Sequence, residues 1–571
     1  MARPVNFSSL SLSLSLSAFG AVNTVSAQYA NPNTRYIVIP TGVDPSCSFR
    51  ADYVPTSLND CGDMVGYTFG SPTPGCVRSP WIWSLCGRFG LSPQSKVLLN
   101  DLSTSSGPVP SGEGRAWSIN NDGDVAGEQT LDGGSFRVPF VWRFGATGLA
   151  SAYAVGPTDS PGVLRGVSES SSTIAAHVVG TRATSNNSTS RAMYHVLGAA
   201  PGTITDLTGL PATNQSAGFA AARTLDSTAV RFGGASAGTA GEAGFTEACS
   251  TCPSAPTDPF GNGTPLLLCD ASGPVDGVRW STATGAAGSG VFELSTTNTR
   301  IYGIDGLNRA VGTYRDADLI CNDRAGFWQA DGTRVALGLV SPLNVDTESE
   351  AFAIAPAVSG GSTLVGGRER AFFDSGAVWW RANGTAAWTA TLLAEMRLST
   401  CDYFVRSVVD VNAKGWLAAL GQNKTTQKLA GLLMIPYDCP LDIDFNGSVG
   451  ASDIAVLLGA WGPCPLATCP CSADLNNDGI VDAVDLGILQ GAWGTTCSVD
   501  VCTGCVQGFE SQAEQLLGGG SIDVPLEVIH GMSGQPDAAA FAAWVTELST
   551  EQRLAFAASI AALSGQEGGT Q

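Results

Sequence analysis

The chain has 571 residues, more than one ordinary domain holds, so two or three domains are expected. Hydrophobic residues make up 44%, ample for a core, charged residues only 14%, and the 70 glycines imply many turns, which suits short strands better than long helices. A formal charge of −21 argues against a nucleic-acid backbone or an anionic membrane as partner and favours solubility and cation binding.

The first elements in the chain are not structural. Arg3, a Leu/Ser/Ala run over 8–22 and Val25-Ser26-Ala27 have the order of a secretory signal, so residues 1–27 are expected to be a signal peptide and the protein to be secreted or held in the cell envelope. No later window holds about twenty uninterrupted apolar residues, and no membrane span is expected. The 16 cysteines fall in clusters and read as disulfides in an exported chain. Cys249-x-x-Cys252 and Cys502-x-x-Cys505 have the spacing of zinc knuckles, but three histidines and no paired knuckle at zinc-finger spacing argue against zinc.

Residues 28–438 carry a loose internal repeat, visible from 40 to 436. The unit is an Asn/Asp-x-x-Gly type of turn, a short apolar strand ending in Gly, a variable loop and an apolar-aromatic strand. LNDCGDMVG (58–66) leads to PWIW (80–83), INNDGDVAG (119–127) to PFVWRFGATG (139–148), IDGLNRAVG (304–312) to AGFWQADG (325–332), and STLVGG (362–367) to GAVWWRANG (376–384). Weaker copies begin near 170, 225 and 411, giving about seven units of roughly 50–60 residues. Short alternating runs between turns make each unit a small antiparallel sheet. One such sheet cannot bury both faces alone, so a radial array, a β-propeller of about seven blades, is the expected fold, with a β-sandwich array as the alternative. The pattern resembles the HAF-type extracellular repeats of bacterial exported proteins, a resemblance that implies an exported repeat protein and no particular reaction.

The tetrapeptide NNDG occurs twice. At 120–123 a calcium-loop alignment would put Ser118, Ala126 and Gln129 at positions 1, 9 and 12, none of them a carboxylate, so this copy is read as a turn. At 476–479 the alignment succeeds: Asp474, Asn476, Asp478, Asp482 and Asp485 fill positions 1, 3, 5, 9 and 12, Gly479 is the turn, and Ile480 offers its carbonyl. DIDFNGSVGASD (442–453) repeats the scheme with Asp442, Asp444, Asn446 and Asp453, and with the carbonyl of Ser448. Gly450 stands at position 9, so water would complete that shell and binding should be weaker. Two Ca²⁺ ions are therefore expected.

Each loop runs into a short apolar helix, IAVLLGAWG (454–462) and LGILQGAWG (486–494). This tandem looks like a type I dockerin over 439–497, in a module read as 439–505. The resemblance implies calcium-dependent docking to a cohesin-like or other exported protein through Ala451, Ser452, Ala483 and Val484. The Ser/Thr pair common in cellulosomal dockerins is only half present. From cysteine spacing, one clasp per unit is expected, Cys439–Cys464 and Cys471–Cys497, with pairings to Cys469, Cys502 or Cys505 as alternatives.

Residues 506–571 read as an Ala-rich helical tail in which Ser549 and Gln552 form a capping box. No catalytic set emerges: His177, His195 and His530 are scattered, and Asp316 and Asp318 are one of many carboxylate pairs. The expected protein is thus a non-catalytic exported repeat protein attached through its calcium loops. The alternative is a carbohydrate-active protein, a glycoside hydrolase or a polysaccharide-binding propeller, tethered by the same module.

Overall fold

The computed structural model describes residues 35–496 apart from 43–52, 69–77, 238–274, 283–291, 340–347, 393–401, 465–472 and shorter loop stretches. The expected signal peptide and helical tail lie outside the described residues, as do Cys471, Cys497, Asn446, His530, Asp316 and Asp318.

Among the described residues, seven four-stranded antiparallel sheets follow one another along the chain. They are numbered here by their innermost strands, Tyr53–Leu58, Gly114–Ile119, Gly162–Val167, Gln215–Arg223, Arg300–Ile304, Glu348–Ile354 and Tyr403–Val411. Each sheet packs on the next, and the seventh packs on the first, so the array closes on itself. The chain is mainly β and its arrangement is that of a β-propeller. The seventh sheet borrows its outer strand, Arg35–Pro40, from the start of the described chain, pairing Ile37 with Ile435 and Ile39 with Leu433. Joining the two ends of the ring in one sheet makes opening the ring cost a whole strand pair.

The Gly that the sequence pattern puts at the end of the second strand lies inside that strand, which continues past it, and in six of the seven sheets it has a steric origin. Opposite it, the innermost strand carries a β-bulge, as between Pro55 and Ser57, Ala116 and Ser118, and Ala351 and Ala353. The bulge swings a carbonyl over the neighbouring strand. A Cβ at Gly66, Gly127, Gly180, Gly234, Gly312 or Gly367 would lie only 1.8 to 2.1 Å from that oxygen. Tryptophan rings of the third strands fill the same space: Trp81, Trp142, Trp280 and Trp380 are all buried, with ring atoms within 3 Å of where such Cβ atoms would be. Apolar clusters bridge successive sheets, for example Val65, Ile82, Val125 and Trp142 between the first and second.

After the last strand, Leu429–Tyr437, come two helices, α1 (Ala451–Gly459) and α2 (Ala483–Gly491), around a small core of Ile443, Ile454, Leu457, Leu458, Leu486 and Leu489. The halves embrace reciprocally. Ser448, in the loop before α1, bridges Thr496 beyond α2, while Ile480–Val481, before α2, pairs with Gly462–Pro463 beyond α1.

Candidate metal loops and the central channel

Where the loop before α1 enters the helix, the carboxylates of Asp442, Asp444 and, from the first turn of α1, Asp453 converge, with one oxygen from each within 4.8 Å of the others. Asp453 is fully buried and accepts the N–H groups of Ile443 (2.5 Å), Asp444 (3.2 Å) and Gly450 (2.7 Å). Burial, with the nearby Asp444 and Asp442 charges, pushes its carboxyl up to about 7. Crowding three hard, like-charged oxygens is unfavourable unless a cation sits among them, and an all-oxygen donor set suits Ca²⁺. The residues fit the ion. Tyr437, ending the last propeller strand, donates its hydroxyl to Asp442, and burial together with that carboxylate raises the phenol well above its usual range. Ser448 is exposed in the loop.

The second loop repeats the frame 32 positions on: Asp485, fully buried, accepts from Leu475 (2.7 Å), Asn476 (3.1 Å) and Asp482 (2.9 Å). Its outer groups are otherwise engaged. Asp474 accepts the Gly479 N–H at 2.8 Å, Asn476 donates to Asp478 at 2.8 Å, and Asp482 caps α2 by accepting from Val484 at 2.8 Å. The carboxylate cluster found among the described residues is therefore that of the first loop, although the sequence makes the second the richer.

The four positions assigned to a partner separate by burial. Ser452 is 9% exposed and Ala451 half-buried, whereas Ala483 is exposed and Val484 is 55% exposed. Cys439 and Cys464 are both disulfide-bonded and both pack on the core of the module.

A second candidate site lies in the propeller itself. The innermost strands enclose a channel of about 580 Å³, within the size range of ligand sites. One bulge residue per sheet lines it: Thr56, Trp117, Arg165, Phe219, Tyr302 and Phe352 from the first six sheets, and Val409 from the second of two bulges in the seventh. Tyr302 lies between Phe219 (5.8 Å) and Phe352 (6.0 Å), and the Arg165 guanidinium stacks over Trp117 at 3.7 Å. Burial pushes the Tyr302 phenol up to about 12.

At one mouth of the channel stand the turns that link the sheets. Asn120, of the first NNDG, accepts the N–H groups of Asp122 (3.1 Å) and Asp124 (2.9 Å) on its side-chain oxygen, and its amide donates to the Ser168 carbonyl of the next sheet at 3.1 Å. Gly123 follows with φ +84°, which glycine tolerates at no steric cost. Carboxylates line this mouth: Asp60, Asp122, Glu169, Asp305 and Asp410. Burial raises Asp410 to about 6, although Ser57 Oγ (2.8 Å) and the Leu58 N–H (2.9 Å) both donate to it. His177 and His195, by contrast, are neighbours in the third sheet, each Nδ1 held by a backbone carbonyl and each lowered by burial.

No family model and no curated protein matches the chain. Among solved structures it is similar to the β-propeller domain of the trilobed protease from Pyrococcus furiosus, at 8% identity over 67% of this chain and 95% of that one, with a TM-score of 0.38. The likeness is one of fold alone. The acylaminoacyl peptidase of Pyrococcus horikoshii (10% identity, 68% of this chain and 52% of that one, TM-score 0.36) and prolyl oligopeptidase B of Galerina marginata (10%, 67% and 51%, TM-score 0.36) are similar in the same sense. The chain spans about half the length of these two peptidases.

Proposed function

We propose that this is an exported, non-catalytic repeat protein whose paired loops, loaded with two Ca²⁺ ions, attach it to a partner in the manner of a dockerin. The observation that carries this reading is an apolar stripe on the second half of the module. Of the six large hydrophobic side chains exposed among the described residues, Ile480, Val484, Ile488 and Trp493 all belong to α2 and its flanks. Val484 and Ile488, four residues apart, share one face of α2, and Ile480 stands in the short strand just before it. The matching positions of the first half, Ser448, Ser452, Val456 and Trp461, are polar or more covered, so one face of a pseudo-symmetric pair is left for a partner. Exposed apolar side chains gathered on one element are what protein contacts use.

Calcium would act through folding. With the ion held by Asp442, Asp444 and Asp453, and by Asp474, Asp478 and Asp485 in the second loop, the helices are fixed in register and the stripe is presented. We take the disulfides as Cys439–Cys464 and Cys471–Cys497, each closing one half, and each of the seven sheets as one blade bearing an HAF-type repeat. A cohesin-like or other exported protein is the proposed partner.

The test is retention of envelope and secreted proteins on the immobilised full-length chain, in calcium and then in chelator. A partner retained only with calcium, and lost with Val484→Asp or Ile488→Asp, supports the reading. Retention indifferent to calcium or to both variants overturns it.

A further inference from the structure

We propose that the central channel is a binding site for an organic cation, an ammonium or guanidinium group, which seats on the arc formed by Phe219, Tyr302 and Phe352. This goes beyond the docking reading and stands or falls separately from it.

The bulges supply the first argument. They aim one side chain per sheet into the channel, and on three consecutive sheets that side chain is aromatic. Phe219 and Tyr302 are half-buried and Phe352 is 8% exposed, and their rings form a continuous tilted row at 5.8 and 6.0 Å. Such rows in a core are normally sealed by other side chains. Here the same residues line a cavity of about 580 Å³. Aromatic faces carry negative quadrupoles and attract cations within about 6 Å.

The channel also contains a worked instance of the contact proposed. On the second and third sheets the Arg165 guanidinium lies 3.7 Å from the centre of the Trp117 ring. On the arc of the fourth to sixth sheets the Arg368 guanidinium lies 5.6 Å from the centre of the Phe352 ring, a second and looser instance, so the surface offered to a ligand is chiefly that of Phe219 and Tyr302.

Charge selects between ligand classes. Of the groups lining the channel, five are carboxylates and one, Arg165, is cationic. Asp305 is paired with Arg309 at 2.6 Å. Neutral donors also reach the others, Asn121 and Ala413 on Asp60, Ser170 on Asp122, Asn121 on Glu169, and Ser57 on Asp410. A channel with walls of low dielectric focuses that field inward, which repels anions and gathers cations.

The experiment is calorimetric titration of the full-length chain at low salt with spermidine, with the tripeptide amide Gly-Arg-Gly-NH₂ and with the neutral trisaccharide cellotriose. Expected is binding of at least one of the cations, weakened by salt, and none of cellotriose. Binding of both cations assigns the site to organic cations at large, and binding of the peptide alone assigns it to basic side chains. Tyr302→Leu and Phe352→Leu keep apolar volume but remove the ring faces, and should each weaken the cation at least tenfold with the melting temperature monitored. Arg165→Gln removes a like charge and should tighten it several-fold, an effect that mere loss of packing would not produce. The proposal is overturned if neither cation binds at millimolar concentration, if cellotriose binds and the cations do not, or if the folded Leu variants bind the cation as well as the parent.

Discussion

The side-chain amide of Asn412 donates to the backbone carbonyl of Asn59 at 3.0 Å, across 353 positions of sequence. Asn59 does the same to Asn120 at 3.2 Å, and Asn120 to Ser168 at 3.1 Å. One turn residue thus performs two tasks. Its oxygen accepts two N–H groups of its own turn, and its amide ties that turn to the next sheet. In Asn412 the link falls where the ring closes. Asn412→Ala should cost about 1–3 kcal/mol, because buried backbone groups lose their partners. Asn120→Ala should cost a similar amount. Urea unfolding of the two variants against the parent checks both, and a negligible shift for Asn412→Ala would show that strand pairing alone closes the ring.

Gly367 faces the Glu350 carbonyl so closely that a Cβ would lie 1.9 Å from it, with the Trp380 ring at 2.9 Å. Neither neighbour can yield cheaply, since one is backbone and the other is fully buried. Gly367→Ala is expected to destabilise by about 3 kcal/mol or more, at the upper end of what overpacking costs. Gly338→Ala, where nothing lies within 4 Å, is the control and should change stability little. Thermal unfolding of both proteins reads the contrast.

These two relationships explain which parts of the fold the sequence made legible. The turn and the closing Gly are steric requirements that few residues satisfy, so LNDCGDMVG, INNDGDVAG and IDGLNRAVG look alike and reveal the repeat. Of the innermost strand only the last residue, Leu58, Ile119 or Ile304, falls within those segments. Its channel-facing residue varies from Thr56 and Arg165 to the aromatic Trp117 and Tyr302, because the bulge fixes where the side chain points and not what it is. The signal that existed was positional: each of these four lies three residues before the turn residue, Asn59, Asn120, Ser168 or Asp305. The strand Arg35–Pro40 was illegible for another reason, since its partner Leu429–Tyr437 lies at the far end of the domain. In the paired loops, ligand-type residues could be read one by one. The cover over Ser452 and the exposure of Val484 could not, because they depend on how the halves embrace.

The two copies of NNDG provide a direct comparison. Asp122 is exposed at a turn whose structure rests on Asn120, while Asp485 is fully buried and holds three N–H groups of its loop. Asp485→Ala should lower calcium affinity by at least tenfold, and Asp122→Ala should leave it unchanged. Calcium titration followed by calorimetry on the full-length chain measures both. Equal losses would remove the distinction drawn between the turn and the metal loop, and no loss in either would remove the second loop from the metal sites.

Asp410 sits at the ring closure, accepting from Ser57 and Leu58 of the first sheet, and burial raises its carboxyl to about 6. A raised value means that the folded chain holds this proton more tightly than the unfolded chain, whose aspartates titrate near 3.9. Unfolding therefore releases a proton between about pH 4 and 6, and stability from this group falls as pH rises through that window, then stays level above it. This is the reverse of a salt-bridged aspartate. Asp410→Asn keeps the shape and an acceptor for one donor but removes the titration. Subtracting the urea midpoints of variant and parent across pH 3.5 to 7 should give a difference that changes between about 4 and 6 in favour of the variant and is flat elsewhere. A difference that does not vary with pH would mean that Asp410 keeps an ordinary carboxyl in the folded chain, with its charge solvated through the channel mouth.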